Sequence, residues 1–186
     1  MAEVGLTRRG PLDALAVRSG AVLSVVPAES RFSFRGGEGA ARAASEVFGV
    51  LLPEVGCRSE MRGERAALWL GPDEWLLLAP VGEGPEIAAA IGRALAGKPH
   101  ALVDIGHRDT VIGVDGAGCE AVLAAGCPLD LDCATFPVGG CTRTVFAKAG
   151  VVLWRVAVGR FRLEVARSFA PYVWRLLEEA VSGERG

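Results

Sequence analysis

The sequence predicts an α+β protein built from two similar halves, each ordered as strand, helix, two strands and helix. Two apolar runs flanking a short turn occur twice, around Gly71-Pro72-Asp73-Glu74 and around Gly159-Arg160, and a helical pattern follows each pair. A strand-like segment, a Gly-rich turn and another helix precede each pair. This order favours antiparallel sheets with helices on one face, and the duplication suggests a pseudo-twofold axis between the halves.

The first half is predicted to span residues 21–98, after an N-terminal arm at residues 1–20 that has no sustained hydrophobic period. Its elements, in order, are strands at 22–26 and 31–34, a helix at 40–50, an irregular polar connection at 53–64, the first hairpin, and a helix at 85–96. The last helix has strong end signals, because Pro85 suits a first helical turn and Gly97 suits the position after the end.

The second half is predicted to span residues 99–186, and the two halves together form one compact domain. Its elements are strands at 101–105 and 108–114, a helix at 117–125, a hairpin of 142–148 and 151–158 around Ala149-Gly150, a strand at 161–165, and a helix at 169–181. The 161–165 strand alternates, with Phe161, Leu163 and Val165 inward and Arg162 and Glu164 outward. The final helix is expected to bury Tyr172, Val173, Leu176, Leu177 and Ala180.

Composition excludes several classes of function. Of the 186 residues 51% are hydrophobic, and the formal net charge is −2, which gives no electrostatic reason to expect nucleic acid or a membrane as partner. No window reaches transmembrane length, so a cytoplasmic protein is expected. The five cysteines form no CxxC pair and lie far from both histidines in sequence, so no metal site is predicted.

One motif resembles a nucleotide-binding fingerprint. Residues Gly116-Ala117-Gly118-Cys119-Glu120-Ala121 follow a strand and open a helix, as GxGxxA does in dinucleotide-binding domains. That fold also requires a parallel strand after the helix, and the chain instead continues into Cys127-Pro128-Leu129-Asp130. Glycines that let a helix start close to a sheet are the favoured interpretation.

The densest titratable segment is Asp104-Ile105-Gly106-His107-Arg108-Asp109. His107 is a candidate general base oriented by a carboxylate, but a polar turn in which Arg108 and Asp109 form a surface pair or contact a partner is favoured. Arg143 shares a strand face with Cys141 and is a candidate anchor for a carboxylate of a ligand or a neighbouring subunit, and a salt bridge to a partner or within the chain is the favoured interpretation. Tryptophans such as Trp75 and Trp174 are expected in the core, and any that are exposed mark an interface.

Several segments together resemble the gamma subunit of heterotetrameric sarcosine oxidase, from about residue 8 to residue 181. The segments are Leu70-Gly71-Pro72-Asp73-Glu74-Trp75-Leu76-Leu77, Asp104-Ile105-Gly106-His107-Arg108, Gly126-Cys127-Pro128-Leu129-Asp130-Leu131, Cys141-Thr142-Arg143-Thr144, Leu153-Trp154-Arg155, and the stretch from Phe161 through Trp174. The last stretch is the most specific part of this resemblance.

The resemblance implies the aminomethyltransferase (folate-binding) fold, which agrees with the repeat. It implies a complex that oxidises sarcosine to glycine, releases hydrogen peroxide and passes the one-carbon unit to tetrahydrofolate. In that family FAD, FMN, NAD and tetrahydrofolate are carried by other subunits, and the gamma subunit assembles with alpha, beta and delta, chiefly alpha. The chain is therefore expected to be a non-catalytic assembly subunit that binds no cofactor or metal.

The alternative is a stand-alone folate-binding protein of the same fold. Such a protein needs an open central pocket and a carboxylate near the folate, for which Asp104 and Glu164 are the candidates. The residues considered for a role at an interface or in anchoring a ligand are His107, Arg108, Arg143, Trp75 and Trp174.

Overall fold

The computed structural model describes residues 11–12 and 23–183. Among these residues lie ten strands and four helices. In chain order they are β1 (Leu23–Val25), β2 (Ser30–Gly36), α1 (Glu38–Phe48), β3 (Ser59–Arg62), β4 (Arg65–Gly71), β5 (Glu74–Ala79), α2 (Gly84–Ala94), β6 (His100–Asp104), β7 (Asp109–Asp115), α3 (Cys119–Ala124), β8 (Cys141–Phe146), β9 (Ala149–Ala157), β10 (Arg160–Ala166) and α4 (Ala170–Gly183).

The strands form two five-stranded antiparallel sheets of matching design. The first sheet has the order β3-β4-β5-β2-β6 and the second has the order β8-β9-β10-β7-β1. Read from the first strand of each order, the members correspond one to one, which is the duplication that the sequence predicts. The α+β class with antiparallel sheets is confirmed.

The two halves exchange their edge strands. β1 lies near the start of the described chain but pairs with β7 of the second sheet, with Leu23 opposite Val114. β6 follows α2 and pairs with β2 of the first sheet, with Phe34 opposite Leu102. The sequence boundary at residues 98/99 therefore does not separate the sheets, because β6 lies after it and belongs to the first sheet.

The helices cover one face of each sheet, and the other faces meet. Helices α1 and α2 pack on the first sheet around Phe34, Phe48 and Leu77, and α3 and α4 pack on the second sheet around Phe161 and Trp174. A third cluster joins the two sheets directly and consists of Ala66, Leu68, Leu76, Leu78, Ile105, Cys141 and Trp154. The layers are therefore helix, sheet, sheet and helix. β5 is buried along its whole length because both of its faces are covered.

Two connections differ from the sequence prediction. The segment predicted as an irregular connection contains β3, a polar strand that pairs with β4 from Ser59 opposite Leu68. The hairpin of β8 and β9 turns at Ala147 and Lys148. The sequence predicted this turn at Ala149-Gly150, but β9 already begins at Ala149. Ala147 adopts a left-handed conformation with φ of +51°, which is uncommon for a residue with a side chain.

The final helix presents a slightly different face from the predicted one. Val173 and Leu177 are buried as expected, but Tyr172 is 38% exposed, and Trp174 is buried in its place. Of the predicted arm, only residues 11–12 are described, and Leu12 is buried in the core between the second sheet and its helices. Within the described residues, no helix combines the length and the apolar character that crossing a membrane requires.

Candidate functional site

Charged side chains occupy part of the layer between the sheets. Glu164 on β10 pairs with Arg31 of β2 at 3.1 Å and with Arg162 at 3.0 Å, although its own side chain is only 2% exposed. Glu29 completes the group, because Arg162 donates to both of its carboxylate oxygens, at 2.5 and 2.9 Å, and Arg31 lies 3.4 Å from it. We call these four residues the inter-sheet ionic cluster.

The sequence alternation on β10 is correct, but its outward face is not exposed to solvent. Phe161, Leu163 and Val165 are buried against the helices, as predicted. Arg162 and Glu164 point the other way and lie under the first sheet. Period-2 alternation identifies which residues share a face, and it does not identify what covers that face.

Burial and ion pairing shift the pKa values of the side chains in this cluster in opposite directions. Burial raises the pKa of Glu164 above its ordinary value, against the opposing charges of Arg162 and Arg31. Desolvation lowers the pKa of Arg162, but its hydrogen bond to Glu29 and the charges of Glu164 and Glu29 outweigh this and raise that pKa. The guanidinium of Arg162 also lies over the ring of Trp154, 5.3 Å from its centroid. Arg162 is thus held as a cation between two carboxylates and an aromatic ring.

A second ionic link joins the first sheet to the edge of the second. Glu74, the first residue of β5, accepts two hydrogen bonds from Arg143 of β8, at 2.5 and 2.9 Å, and one from Arg35 at 2.6 Å. The hydrogen bond from Arg143 lowers the pKa of Glu74, although burial opposes that shift. The internal salt bridge suggested for Arg143 is therefore present.

A crevice opens beside this link. Its volume is about 280 Å³, and it is lined by Arg108, Asp109, Arg143, Thr144, Gly150, Val151, Val152, Glu164 and Ala166. It adjoins a smaller pocket of about 50 Å³ between the sheets, which Glu74 and Trp75 also line. We call this space the Arg108–Arg143 crevice.

The structure brings together three of the five residues singled out from the sequence, because Trp75, Arg108 and Arg143 all line the smaller pocket. Arg108 and Arg143 both line the crevice, and Arg108 also pairs with Asp109 at 3.1 Å, as the polar-turn interpretation predicts. His107 lies in the turn immediately before Arg108. The turn that leads into β7 supplies His107 and Arg108, and β8 supplies Arg143.

The two tryptophans are packing residues. Trp75 is 3% exposed, and its indole N–H donates to the Pro53 carbonyl oxygen at 2.8 Å. Trp174 is fully buried between α4 and the second sheet. Neither side chain reaches the surface of the chain, so their placement does not support the interface role that exposed tryptophans would have had.

The two carboxylates considered for folate lie in different surroundings. Asp104 accepts a hydrogen bond from the backbone N–H of Gly106 at 2.8 Å and so stabilises an exposed turn. Glu164 lies at the base of the crevice but is already paired with two arginines. The structure therefore does not combine them in one site.

The glycine motif has a backbone function. Gly116 and Gly118 adopt positive φ values of 105° and 85°, which glycine accepts without strain. Gly116 N–H donates to the Gly159 carbonyl at 2.8 Å, which ties the start of α3 to the β9–β10 turn. The next strand, β8, pairs antiparallel with β9 and not with β7, so the parallel unit of a dinucleotide fold is not formed.

Arg155 is a buried charged residue to which the sequence-based predictions assigned no role, although it lies in the Leu153-Trp154-Arg155 segment. Its side chain is fully buried on β9, lies 4.3 Å from the Phe161 ring centroid, and donates to Glu120 at 2.9 Å and to the Cys133 sulfur at 3.2 Å. It also donates to the Leu131 carbonyl oxygen. The signal present in the sequence was an arginine within an apolar strand, which indicates a polar partner in the core.

These ion pairs support a structural role for the site better than a catalytic one. Arg31, Arg143 and Arg162 are each engaged by carboxylates within the protein. The crevice volume lies at the lower limit of pockets that enclose small molecules, which span roughly 300–1,000 Å³. The site therefore consists of charged side chains between the two sheets that are already paired with one another.

The layered, duplicated fold defines a class of protein. An aminomethyltransferase T of the glycine cleavage system from Bartonella henselae superposes with a TM-score of 0.63 over 83% of this chain and 44% of that one, at 14% identity. This likeness shows the fold, and it confirms the aminomethyltransferase-like architecture expected from the sequence.

Closer relatives specify the family. The sequence model of the sarcosine oxidase gamma subunit family matches residues 37–183. The sarcosine oxidase subunit gamma of Corynebacterium sp. (strain P-1) is 34% identical over 147 residues, which are 78% of this chain and 71% of that protein. A chain of the heterotetrameric sarcosine oxidase from Corynebacterium sp. U-96 superposes with a TM-score of 0.87 at 28% identity, covering 95% of both chains. This chain belongs to the sarcosine oxidase gamma subunit family, which confirms the resemblance inferred from its motifs.

Proposed function

We propose that this chain is the gamma subunit of a heterotetrameric sarcosine oxidase and that it acts without catalytic groups of its own. The observation that most supports this proposal is the structural match over 95% of both chains to a subunit of such a complex. The reaction of the complex is oxidation of sarcosine to glycine, with release of hydrogen peroxide and transfer of the one-carbon unit to tetrahydrofolate.

In this proposal the chain assembles with alpha, beta and delta subunits in the cytoplasm and contacts chiefly the alpha subunit. FAD, FMN, NAD and tetrahydrofolate lie on those other subunits. The paired charges support this division of labour, because Glu74 and Glu164, acidic groups of the crevice region, are already neutralised by arginines. A general acid or base needs a carboxylate free to exchange a reacting proton, and both of these carboxylates are buried and held by arginines.

The first experiment is co-expression of the alpha, beta and delta subunits with and without this chain. We expect omission to reduce recovery of the flavin-containing complex or its yield of methylenetetrahydrofolate. Unchanged assembly together with unchanged yield contradicts the proposal.

The second experiment separates an assembly role from a catalytic role. Arg108→Gln removes a crevice guanidinium whose side chain is 61% exposed, so folding is expected to persist. The turnover of the assembled complex per flavin should be unchanged by this substitution. A fall of about tenfold or more with normal assembly shows that the crevice takes part in the chemistry.

The third experiment addresses the stand-alone folate-binding alternative. Calorimetric titration of the full chain with tetrahydrofolate is expected to show no heat of binding, because the cluster around Leu68, Leu76 and Trp154 leaves only a pocket of about 50 Å³ between the sheets. Micromolar binding to the chain alone supports the alternative instead.

A further inference from the structure

Two of the free cysteines lie on adjacent segments from different halves of the chain. Cys57 is exposed and lies on the connection between α1 and β3, whereas Cys141 is the buried first residue of β8. The two positions are far apart in sequence, so only the fold places them together.

The backbone pairing sets Cys57 opposite Cys141. Arg58 and Gly140 form an antiparallel bridge, flanked by hydrogen bonds from Cys141 N–H to the Cys57 carbonyl at 3.1 Å and from Ser59 N–H to the Gly139 carbonyl at 2.8 Å. Directly opposed residues of an antiparallel pair have α-carbons about 4.5–5.5 Å apart. That separation lies within the range of roughly 4.4–6.8 Å that a disulfide spans.

The sulfur of Cys141 is directed at the segment that carries Cys57. The Cys141 thiol lies 3.2 Å from the Arg58 carbonyl oxygen, one residue after Cys57, and 3.5 Å from that of Trp69. Burial raises the pKa of Cys141 to about 12, and the nearby charge of Cys57 adds to that shift. The Cys57 thiol therefore lies close enough to affect the ionisation of Cys141.

The backbone at Cys57 is also unusual. Its φ is +59°, a left-handed conformation that few residues with side chains adopt. Residues held in such conformations cost free energy and often mark functional positions. The three remaining cysteines have different neighbours: Cys119 and Cys127 lie in the core beneath the helices of the second sheet, and Cys133 contacts Arg155.

We propose that Cys57 and Cys141 form a redox-sensitive thiol pair that closes to a disulfide when the chain meets a hydroperoxide. The Cys57 thiol loses its proton to solvent and its thiolate attacks the peroxide, so that an S–O bond forms and the O–O bond breaks. The departing hydroxide or alkoxide takes up a proton from solvent and leaves as water or an alcohol. The sulfur of Cys141 then attacks the sulfenic sulfur of Cys57, and the Cys141 proton passes to the departing hydroxyl group. The S–S bond forms, the S–O bond breaks and water is released.

Closure has a structural consequence at the protein surface. The bridge adjoins a groove of about 600 Å³ lined by Leu51, Pro53, Glu54, Val55, Arg58, Ser59, Glu60, Val138 and Gly139. Three of these residues, Leu51, Val55 and Val138, are large apolar side chains that are 63%, 67% and 48% exposed. A disulfide fixes the 49–58 connection to β8 and so fixes one wall of this apolar groove to the other.

The test uses the full chain treated with hydrogen peroxide and then alkylated under denaturing conditions. We expect a tryptic peptide ending at Arg58 to be linked to the peptide that spans residues 109–143. The second peptide contains four cysteines, and fragmentation before Pro137 isolates Cys141 from the other three. The linkage should be found in fragments that carry Cys141, and dithiothreitol should reverse it.

Matched variants make the result decisive. Cys57→Ser should abolish the linkage, whereas Cys133→Ser, which removes the other exposed thiol, should leave it intact. In Cys141→Ser, a sulfenic acid should be trapped by dimedone at Cys57. The proposal is overturned if Cys57 stays fully alkylatable in a folded, peroxide-treated chain, or if it links to Cys133 or to a second molecule instead.

Discussion

Glu74 and Arg143 join the two sheets through a bidentate ion pair with nitrogen–oxygen distances of 2.5 and 2.9 Å. The carboxylate opens β5 of the first sheet and the guanidinium lies on β8 of the second, so the pair crosses the pseudo-twofold interface. Arg35 binds the same carboxylate from β2 at 2.6 Å. One acidic side chain therefore connects three strands from both halves of the chain.

This pair belongs to a wider pattern in which charges replace apolar contacts at one end of the inter-sheet layer. Leu76 and Leu78 fill that layer from the first sheet. On β10, which corresponds to β5 in the second sheet, Arg162 and Glu164 face the same layer instead. The charged side chains reach the apolar cluster, because Arg162 lies over the ring of Trp154. The two halves have thus diverged in sequence while keeping the same fold.

Replacing Glu74 by Gln should destabilise the chain by about 1–2 kcal/mol, because the bonds to Arg143 and Arg35 lose their charge. The cost is moderate because both guanidinium groups are about half exposed and regain water. Urea unfolding measures the loss, and the melting temperature should fall by a few degrees. Glu38→Gln, in an exposed α1 pair with Arg42 at 2.9 Å, is the matched control and should change stability by less than about 0.5 kcal/mol. Equal effects of the two substitutions contradict the assigned role of Glu74.

The Glu74 contribution should depend on pH in a defined direction. Its pKa is lowered in the folded chain relative to the ordinary value of 4.5, chiefly by the hydrogen bond from Arg143. A carboxyl with a lowered pKa stabilises the fold above its unfolded pKa, and this stability is lost as the pH falls through the folded pKa. The difference in unfolding free energy between the native chain and Glu74→Gln should be constant above about pH 5.5 and shrink below about pH 4.5. A difference that stays constant down to about pH 3 is the opposing result.

The parts of this fold that the sequence predicted are those set by local pattern. The apolar runs on either side of Gly71-Pro72-Asp73 indicated the first hairpin, and the alternation of Phe161 and Leu163 indicated the buried face of β10. The polar strand β3 was missed because it has no hydrophobic period: all but one of its four residues are exposed. It is specified by pairing with β4, which the sequence does not display.

Pairing between strands that are far apart in sequence also could not be predicted from the sequence. Nothing local to Leu23–Val25 indicates that β1 joins β7 of the other half, because strand exchange depends on how the two sheets meet. The same limit applies to the candidate site. Arg108 and Arg143 were identified as charged residues of interest, but their common crevice and the pairing of Arg143 with Glu74 follow only from the packing of two sheets.

Arg155 should be required for order in the segment between α3 and β8. Replacing it by Met keeps the bulk of the side chain but removes the hydrogen bonds to Glu120, the Leu131 carbonyl and Cys133. The expected loss is about 2–4 kcal/mol, since a buried carbonyl and a carboxylate lose their partner. Limited proteolysis should then cut within residues 127–136 before the rest of the chain.

The matched control for that substitution is Arg160→Met. Arg160 also pairs with a carboxylate, Asp115, at 3.1 Å, but its side chain is 63% exposed. Its replacement should change stability by less than about 0.5 kcal/mol and leave the proteolysis pattern unchanged. If Arg155→Met gives the same cleavage sites and rates as the native chain, the segment is ordered by something other than Arg155.

Gly126 should be intolerant of even a methyl group. A β-carbon at this position would lie 2.8–2.9 Å from three atoms of the Phe146 ring. Phe146 is 1% exposed and belongs to the core beneath α3 and α4, so its ring has little space to move. Gly126→Ala should therefore cost about 1–3 kcal/mol through overpacking.

Gly150 provides the comparison that isolates this steric effect. It lies on β9, and a β-carbon there would have no atom beyond its immediate neighbours within 4 Å. Gly150→Ala should leave the free energy of unfolding within about 0.5 kcal/mol of the native value. Since both substitutions add the same methyl group, a gap of at least about 1 kcal/mol between them in urea unfolding assigns the cost to the Phe146 contact. Equal unfolding free energies for the two variants would mean that the ring relaxes away, and that the core of the second sheet is less tightly packed than its burial indicates.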